Sequence, residues 1–265
     1  MALPPPTRNG TVVITGASSG IGRELARELA RRSYGVVLVA RRAERLAGLA
    51  AELTAEHGVQ ADIDPCDLTD AAARHALVDR LLEREVIGVC NNAGFGTVAN
   101  LLDAGVEREL QVVRLNVEAV HHLTGAFLPP MVQRGAGAIL NVASTAAFQP
   151  LPGFATYAAS KAFVQSFSEA VHAELRGNGV SVTTLSPGFT RTEFGKRANA
   201  AQQESALPDA LFMDADEVAY AGVEAMLAGR RTVTPGLHNR ASAFGGRVVP
   251  RSLLFPLFKR MTRAG

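Results

Sequence analysis

The sequence predicts an α/β fold in a single domain, with a doubly wound parallel sheet of about seven strands and helices on both faces. Short apolar runs rich in β-branched residues alternate with segments of helical periodicity along most of the chain. The length of 265 residues and the apolar fraction of 47% suit one large core. No linker or internal repeat interrupts the alternation, which is typical of a sheet built from strand–helix–strand units.

The predicted elements follow one another in strand–helix order. The first strand, Thr11-Val12-Val13-Ile14, is β-branched throughout, which is typical of a strand buried on both faces. The helix after it places Leu25, Ala26 and Leu29 on one face. Strands are predicted near 11–15, 35–40, 59–63, 86–90, 138–143, 180–185 and 231–234. Helices are predicted near 20–33, 43–57, 69–84, 105–134, 155–177 and 215–228.

A glycine-rich turn, Thr15-Gly16-Ala17-Ser18-Ser19-Gly20-Ile21-Gly22, joins the first strand to the first helix. Glycines let the backbone approach a phosphate closely, and the N–H groups at a helix start attract anions. Strand, turn and helix together predict a cradle for the diphosphate of a dinucleotide. The spacing is G-x-x-x-G-x-G rather than the G-x-G-x-x-G of many dinucleotide folds, and a tight turn of small residues is the alternative.

Polar residues follow two further predicted strands. Asn91-Asn92-Ala93-Gly94 comes directly after the apolar run 86–90, and Ser144 ends the strand near 138–143. Open α/β sheets bind their ligands at the carboxyl ends of the strands. These residues therefore indicate a ligand site at that edge, although turn chemistry alone also explains each of them.

Tyr157 and Lys161 are four residues apart on a predicted helix, so their side chains stack one turn apart. A free tyrosine, with a pKa near ~10, is a poor acid–base catalyst at neutral pH. A neighbouring ammonium group favours the phenolate and lowers that pKa. The pair therefore predicts an acid–base tyrosine, against the alternative of packing plus a solvated charge.

Taken in order, these motifs resemble the short-chain dehydrogenase/reductase family, in its NADP-preferring type. The resemblance rests on TGASSGIG, NNAG, the strand-ending serine, YAASK and Ser186-Pro187-Gly188-Phe189-Thr190-Arg191-Thr192, and it covers roughly residues 8–235. It implies a Rossmann-like sheet and a triad of serine, tyrosine and lysine. It also implies a lid over the substrate at 193–214, and a homodimer or homotetramer that forms through the helices near 105–134 and 155–177.

The resemblance implies four catalytic residues. Tyr157 gives its proton to the substrate carbonyl, Lys161 lowers the pKa of that tyrosine and holds the nicotinamide ribose, and Ser144 hydrogen-bonds the substrate oxygen. Asn116 matches the family asparagine whose main chain supports a water relay to the lysine. The implied cofactor-binding set is Gly16, Ser18, Ser19, Gly20, Ile21, Arg41, Arg42, Asp67, Leu68, Asn92, Ala93, Gly94, Tyr157, Lys161, Pro187, Gly188, Thr190 and Thr192.

The choice of cofactor depends on Arg41-Arg42, which ends the second strand. A carboxylate there would bind the adenosine ribose hydroxyls and repel a 2′-phosphate, whereas a guanidinium suits a phosphate. The sequence therefore predicts NADP(H), with a solvated arginine at the helix start as the alternative. Asp67 matches the family position that holds the adenine ring, and its alternative role is the N-terminal cap of the helix beginning near Thr69.

The sequence divides into a catalytic domain, 1–235, and a basic, apolar tail, 236–265. Between residues 225 and 265 there is no Asp or Glu, and the positive charges are Arg230, Arg231, Arg240, Arg247, Arg251, Lys259, Arg260 and Arg263. This composition is typical of a segment that touches a membrane surface, but Pro250 and Pro256 shorten any helix. Packing of the tail on the same domain or on a partner is therefore favoured over a weak membrane contact.

Several classes of protein are disfavoured. Cys66 and Cys90 are the only cysteines and the histidines share no ligand-like spacing, so we expect neither a disulfide framework nor a metal site. The chain lacks a signal-peptide pattern and an apolar run of ~18 residues, which predicts a cytoplasmic protein. Aromatic residues are sparse in the tail, which argues against nucleic-acid binding.

The predicted function is an NADP(H)-dependent oxidoreductase that reduces a carbonyl to an alcohol, or the reverse. The tail resembles a bacterial branch of the family related to long-chain 3-oxoacyl reductases and hydroxysteroid dehydrogenases. An apolar or lipid-like substrate, such as a 3-oxoacyl thioester or a hydroxysteroid, is therefore expected. The alternative is a non-catalytic NADP(H)-binding regulator on the same fold. The intact Ser144, Tyr157 and Lys161 argue against that alternative.

Overall fold

The computed structural model contains a seven-stranded, fully parallel sheet, which confirms the predicted fold class. The order across the sheet is β3-β2-β1-β4-β5-β6-β7, so the chain starts near the middle and winds first to one edge and then to the other. The structure describes residues 2–198, 200, 205 and 207–249. The strands are β1 (Thr11–Thr15), β2 (Gly35–Ala40), β3 (Ala61–Pro65), β4 (Val86–Asn91), β5 (Gly137–Val142), β6 (Val180–Leu185) and β7 (Thr232–Val233).

Helices cover both faces of the sheet. The helices are α1 (Gly20–Arg31), α2 (Ala43–His57), α3 (Ala71–Leu82), α4 (Val106–Val113), α5 (Val120–Arg134), α6 (Ala155–Glu174), α7 (Phe194–Arg197), α8 (Ala215–Leu227) and α9 (Leu237–Val248). A π-helical segment, Arg114–Ala119, joins α4 to α5. Short 3₁₀ turns lie at Thr145–Phe148 and Asp209–Leu211.

The core has two halves, one on each face of the sheet. Val12 and Ile14 of β1 pack against α1, α2 and α8, whereas Val13 belongs to the half formed with α3 and α5. Successive side chains of a strand point to opposite faces, so one β-branched strand supplies both halves. The central strands β1, β4, β5 and β6 are buried throughout, which agrees with their apolar and β-branched character, although β6 also buries Ser181.

Two predicted boundaries shift by two residues for local reasons. Gly58 ends α2 in the left-handed conformation, with φ of 66°, and β3 therefore begins at Ala61 rather than near 59. The Asp70 carboxylate accepts hydrogen bonds from the N–H groups of Ala72 and Ala73 at 2.8 and 3.0 Å, so α3 begins at Ala71. Asp70, and not Asp67, is therefore the N-terminal cap of this helix.

The segment predicted as one helix near 105–134 is helical without a break from Val106, but its middle is π-helical instead of α-helical. Between α4 and α5, the six residues Arg114–Ala119 are π-helical, with Asn116 and Ala119 facing the interior. Such segments are short and often lie at functional sites. Here the segment carries one of the four residues expected to be catalytic.

The C-terminal region contains a helix that the sequence did not reveal. In α9, Asn239 and Ala243 are buried, and Arg247 lies over the ring of Phe148 at 4.5 Å from its centroid. This helix therefore packs beside the 3₁₀ turn that follows the catalytic-site strand β5. The remainder of the predicted tail, 250–265, lies outside the described residues, as do parts of the predicted lid.

The described ranges contain neither a membrane-spanning helix nor a cluster of metal ligands. No helix there has the length and apolar character to cross a membrane. No group of three His, Cys, Asp or Glu side chains in those ranges is arranged to hold a metal ion. Both cysteines are buried as free thiols.

Candidate active site

The residues predicted to bind cofactor and substrate follow the carboxyl ends of β1 to β6, or lie on the π segment and α6. The direction of winding reverses between β1 and β4, and such a switch opens a crevice at the carboxyl edge of a sheet. All of the predicted segments therefore border one crevice.

Thr15 joins the glycine turn to the segment after β4. Its hydroxyl accepts hydrogen bonds from the N–H groups of Asn92 and Ala93, both at 3.0 Å. The Asn92 amide donates in return to the Thr15 carbonyl at 2.9 Å. Gly16 has a φ of 70°, and a Cβ there would lie 2.9 Å from the Ala93 Cα. The two motifs therefore form one unit, which depends on a threonine that was not among the predicted site residues.

A cavity of about 480 Å³ lies beside the start of α1. Ser19 and Gly20 of the glycine turn line it, together with Thr192, Arg23 and Arg191. The first turn of α1 has no acidic residue, so the positive end of its dipole is not neutralised there. Glu193 lines the cavity as well, so a helix N-terminus, two arginines and one carboxylate border the space where the resemblance implies a diphosphate.

Arg41 and Asp67 lie together at the outer end of this crevice. The Arg41 side chain is 72% exposed, and its guanidinium is 3.7 Å from the Asp67 carboxylate. Burial alone would raise the pKa of Asp67, but hydrogen bonds from Thr69 and the charge of Arg41 lower it overall. Leu68 is buried, and its carbonyl accepts a hydrogen bond from Arg74 at 2.8 Å. This end of the crevice is thus charged and anchored to α3.

Arg42 lies against the glycine turn and contacts both Ser18 and Glu193. Its Nε and Nη2 donate to the Ser18 hydroxyl at 3.2 and 2.9 Å, and Nη1 donates to Glu193 at 3.1 Å. Arg45 donates to the other oxygen of Glu193 at 2.7 Å. Glu193 belongs to the segment after Thr192, far from Arg42 in sequence, and no local pattern indicated its place here.

Tyr157 lies in the first turn of α6 and is only 8% exposed. Burial raises the pKa of its phenol to about 12, and a hydrogen bond with Ser144 opposes this shift. The ring of Phe154 stacks on it with centroids 4.4 Å apart, and that of Phe194 lies 5.3 Å away. Neither phenylalanine was among the predicted residues. The phenol is therefore protonated at neutral pH and surrounded by aromatic rings.

Lys161 lies one turn further along α6. Its Nζ donates to the Val142 carbonyl at 2.8 Å and is 5.8 Å from the centre of the Tyr157 ring. Burial lowers the pKa of this ammonium to about 8. The structure therefore differs from the expectation that Lys161 lowers the pKa of Tyr157. Burial is the larger influence on both groups.

Ser144 directly follows β5 and is the N-terminal cap of the 3₁₀ turn. Its hydroxyl accepts from the Ala146 N–H at 3.1 Å and donates to the Pro187 carbonyl at 3.4 Å. Those bonds and the one with Tyr157 fix the hydroxyl beside the phenol. The serine and the tyrosine, thirteen residues apart, thus meet in one place.

Asn116 is fully buried, although an asparagine in the middle of a helix usually lies on the surface. Its amide donates to the Phe95 carbonyl at 2.9 Å and to the Ser160 hydroxyl at 3.0 Å, and its Oδ1 accepts from the Phe95 N–H. A Cβ at Gly94 would lie 3.0 Å from Asn116 Oδ1 and 3.3 Å from Lys161 Nζ. Asn116 therefore positions the chain after β4 next to the lysine.

The segment after β6 closes the crevice on its other side. Thr192 lies against the glycine turn, since a Cβ at Gly20 would be 3.0 Å from its Cγ2. The Thr190 hydroxyl donates to the Gly188 carbonyl at 3.1 Å. A Cβ at Gly188 would overlap the Asn239 side chain of α9. The helix in the predicted tail thus supports this part of the site.

Residues 10–203 match the family model for short chain dehydrogenases. The chain therefore belongs to the short-chain dehydrogenase/reductase family, whose members are oxidoreductases that act on alcohols and carbonyls with NAD(P). The match includes the glycine turn and extends through the segment after β6. It confirms the family, the fold and the enzyme class predicted from the sequence.

Three known proteins illustrate the similarity. Sulfoacetaldehyde reductase 2 from Chromohalobacter salexigens is 38% identical over 77% of this chain and 81% of its own. A very-long-chain 3-oxoacyl-CoA reductase from Anas platyrhynchos is 36% identical over 69% of this chain and 61% of its own. A short-chain dehydrogenase from Sphingobium yanoikuyae, solved in complex with NADPH, is 37% identical, with a TM-score of 0.81 over 89% of this chain and 92% of that one.

Proposed function

We propose that this protein is an NADP(H)-dependent carbonyl reductase, or alcohol dehydrogenase in the reverse direction, acting on an apolar or lipid-like substrate. The observation that carries the proposal is the environment of Tyr157: a buried phenol beside the Ser144 hydroxyl, one helical turn from Lys161 and lined by two aromatic rings. This arrangement places a proton donor and a hydrogen-bond donor in an apolar space.

The chemistry divides among the chain's own residues. The nicotinamide, when bound, supplies or accepts the hydride. Tyr157 donates its phenol proton to the carbonyl oxygen, and Ser144 offers that oxygen a hydrogen bond. Lys161 would hold the ribose hydroxyls and return a proton towards the phenol, while Asn116 keeps the backbone at Phe95 in place. Of the remaining predicted cofactor residues, Ser19, Gly20, Thr190 and Thr192 line the cavity beside the start of α1.

In this structure Tyr157 carries the proton that a carbonyl reduction consumes, but burial raises the pKa of its phenol to about 12 and makes it a weaker acid than a free tyrosine. The reverse reaction needs the phenolate. A positive charge close to the ring, from Lys161 or from an oxidised nicotinamide, would lower the pKa of the phenol for that direction.

The names of the two relatives refer to different carbonyl substrates. One is named for sulfoacetaldehyde, a small anionic aldehyde, and the other for very-long-chain 3-oxoacyl-CoA. The rings of Phe154 and Phe194 beside Tyr157 favour the second kind of substrate, because aromatic walls stabilise buried methylene groups and offer an anion no partner.

The substrate class is tested by NADPH oxidation with 3-oxoacyl thioesters of increasing chain length, a steroid ketone and sulfoacetaldehyde. We expect kcat/KM to rise about threefold for each methylene group buried. Phe194→Ala should weaken this dependence, whereas Leu82→Ala, at an exposed side chain on α3, should not. Preference for sulfoacetaldehyde, or rates independent of chain length, would contradict the apolar substrate.

The preference for NADP(H) is proposed from Arg41 and Arg42 at the end of β2. Both guanidinium groups border the adenosine end of the crevice, and Arg42 already touches the glycine turn through Ser18. The similar protein from Sphingobium yanoikuyae was solved with NADPH, which supports the same choice here. Arginine is the side chain best suited to a phosphate dianion.

Arg41→Ala should lower kcat/KM with NADPH about tenfold and leave that with NADH within twofold, because a mostly exposed guanidinium contributes modestly to phosphate binding. Steady-state kinetics with both cofactors measures this. Arg114→Ala, which removes an exposed arginine paired with Glu107, is the control. An unchanged ratio of NADPH to NADH activity in Arg41→Ala would remove Arg41 from the phosphate site.

We also propose a homodimer or homotetramer that forms through α4 and α6. Val106 and Leu110 of α4 are 75% and 42% exposed, and Phe163 of α6 is 37% exposed. Exposed apolar side chains on neighbouring helices are typical of subunit contacts.

The predicted tail is proposed to belong to the catalytic domain through α9, whose Asn239 packs on Gly188. Leu237, Phe244 and Val248 lie on one exposed face of that helix, at spacings of seven and four residues. This face supports the weak membrane-surface contact that the composition of the tail suggested.

A further inference from the structure

We infer that Glu193 sets the strength of 2′-phosphate binding, because its carboxylate competes with that phosphate for Arg42. The inference rests on the proposed NADP(H) site and adds to it a residue that opposes cofactor binding. Glu193 directly follows Thr192 and reaches across the crevice to the start of α2.

Glu193 is bound at both of its oxygens. Oε2 accepts from Arg42 Nη1 at 3.1 Å, and Oε1 accepts from Arg45 Nη1 at 2.7 Å. The two arginines lie at the cap position and in the first turn of α2. Two charge-assisted hydrogen bonds hold a carboxylate more firmly than one, and the start of a helix favours a negative charge.

Arg42 cannot offer the same edge to Glu193 and to a phosphate at once. Its Nε and Nη2 are engaged with the Ser18 hydroxyl in the glycine turn, and its Nη1 is engaged with Glu193. A carboxylate and a phosphate are alternative ligands for the same N–H donors. A phosphate that takes the Nη1 N–H now donated to Glu193 therefore has to displace that carboxylate.

The exchange is open to a ligand from solvent. The side chains of Arg42 and Glu193 are 33% and 42% exposed, so neither has to leave a closed core. Ion pairs at this exposure are weak individually, which makes displacement feasible. Arg41 has a carboxylate neighbour as well, Asp67, but at 3.7 Å and without the second arginine that holds Glu193. Glu193 is therefore the stronger competitor of the two.

Removing the competing charge should strengthen phosphate binding. The test is isothermal titration of 2′,5′-ADP and of 5′-AMP into the full-length wild-type protein and Glu193→Gln. We expect Glu193→Gln to bind 2′,5′-ADP about three- to tenfold more tightly, and 5′-AMP within twofold of wild type. Glu107 lies on α4, where its carboxylate pairs with Arg114. The control variant Glu107→Gln removes this carboxylate and should leave the affinities for both nucleotides unchanged.

Each outcome separates this inference from the cofactor assignment. Wild type that binds 2′,5′-ADP better than 5′-AMP, with no gain in Glu193→Gln, overturns the competition and leaves the NADP(H) proposal standing. Weaker 2′,5′-ADP binding in Glu193→Gln overturns it too, since Glu193 would then assist the phosphate. If neither wild type nor Glu193→Gln distinguishes the two nucleotides, both proposals are rejected. Arg42→Ala in the Glu193→Gln background should abolish the gain.

Discussion

Replacing Tyr157 by phenylalanine is expected to reduce turnover by a factor of about 10² to 10⁴, with NADPH affinity within about twofold of wild type. The substitution removes only the hydroxyl, so the packing of the ring against Phe154 and Phe194 is retained. The proton that the carbonyl oxygen needs then has no donor within the aromatic pocket. Ser144 cannot take over this role efficiently, because a serine hydroxyl is a far weaker acid than a phenol.

Single-turnover reduction with NADPH measures this effect, and equilibrium titration of NADPH measures the affinity. Tyr220→Phe is a matched control, since that hydroxyl belongs to a half-exposed tyrosine on α8, away from the crevice. Reduction by Tyr157→Phe at near wild-type rate would show that another group delivers the proton.

Gly22→Ala is the second change with a large expected effect. A Cβ at this position would lie 2.5 Å from the Gly16 carbonyl oxygen and would also overlap the Asn92 amide. Both obstacles belong to the cofactor crevice, and one is backbone that cannot move without reshaping the glycine turn. We expect a loss of about 1–3 kcal/mol in the free energy of unfolding and a loss of measurable NADPH binding.

Urea denaturation and NADPH titration measure the two effects. Gly48→Ala is the matched control, because a Cβ at this exposed position of α2 would have no neighbour within 4 Å. That change should stabilise the protein by up to ~1 kcal/mol, as alanine favours a helix over glycine. A Gly22→Ala protein with wild-type stability and affinity would mean that the turn adapts to a side chain.

The fold was predictable because its signal is local and repeated. Each central strand is a short run of β-branched or apolar residues, and each is followed by a helix with one apolar face. This is the pattern that burial on both faces of a parallel sheet requires. The motifs at the strand ends were visible for the same reason: each is a few consecutive residues, and the topology brings them to one edge.

Contacts between distant segments left no such signal. Glu193 meets Arg42 across 151 residues, and the ring of Phe194 reaches Tyr157 from a segment with mixed periodicity. The packing of Asn239 against Gly188 makes α9 part of the site, although its composition suggested a tail. The direction of the pKa shift of Tyr157 depended on burial, which no spacing of residues reveals.

The π segment Arg114–Ala119 limits how the length of this helix can change. Deleting one residue there would restore a regular helix and rotate α4 relative to α5 by about 100°, the angle between successive residues. Asn116 would then leave the interior, and Phe95 would lose its two hydrogen bonds. One buried amide therefore ties the register of a long helix to the position of the chain after β4.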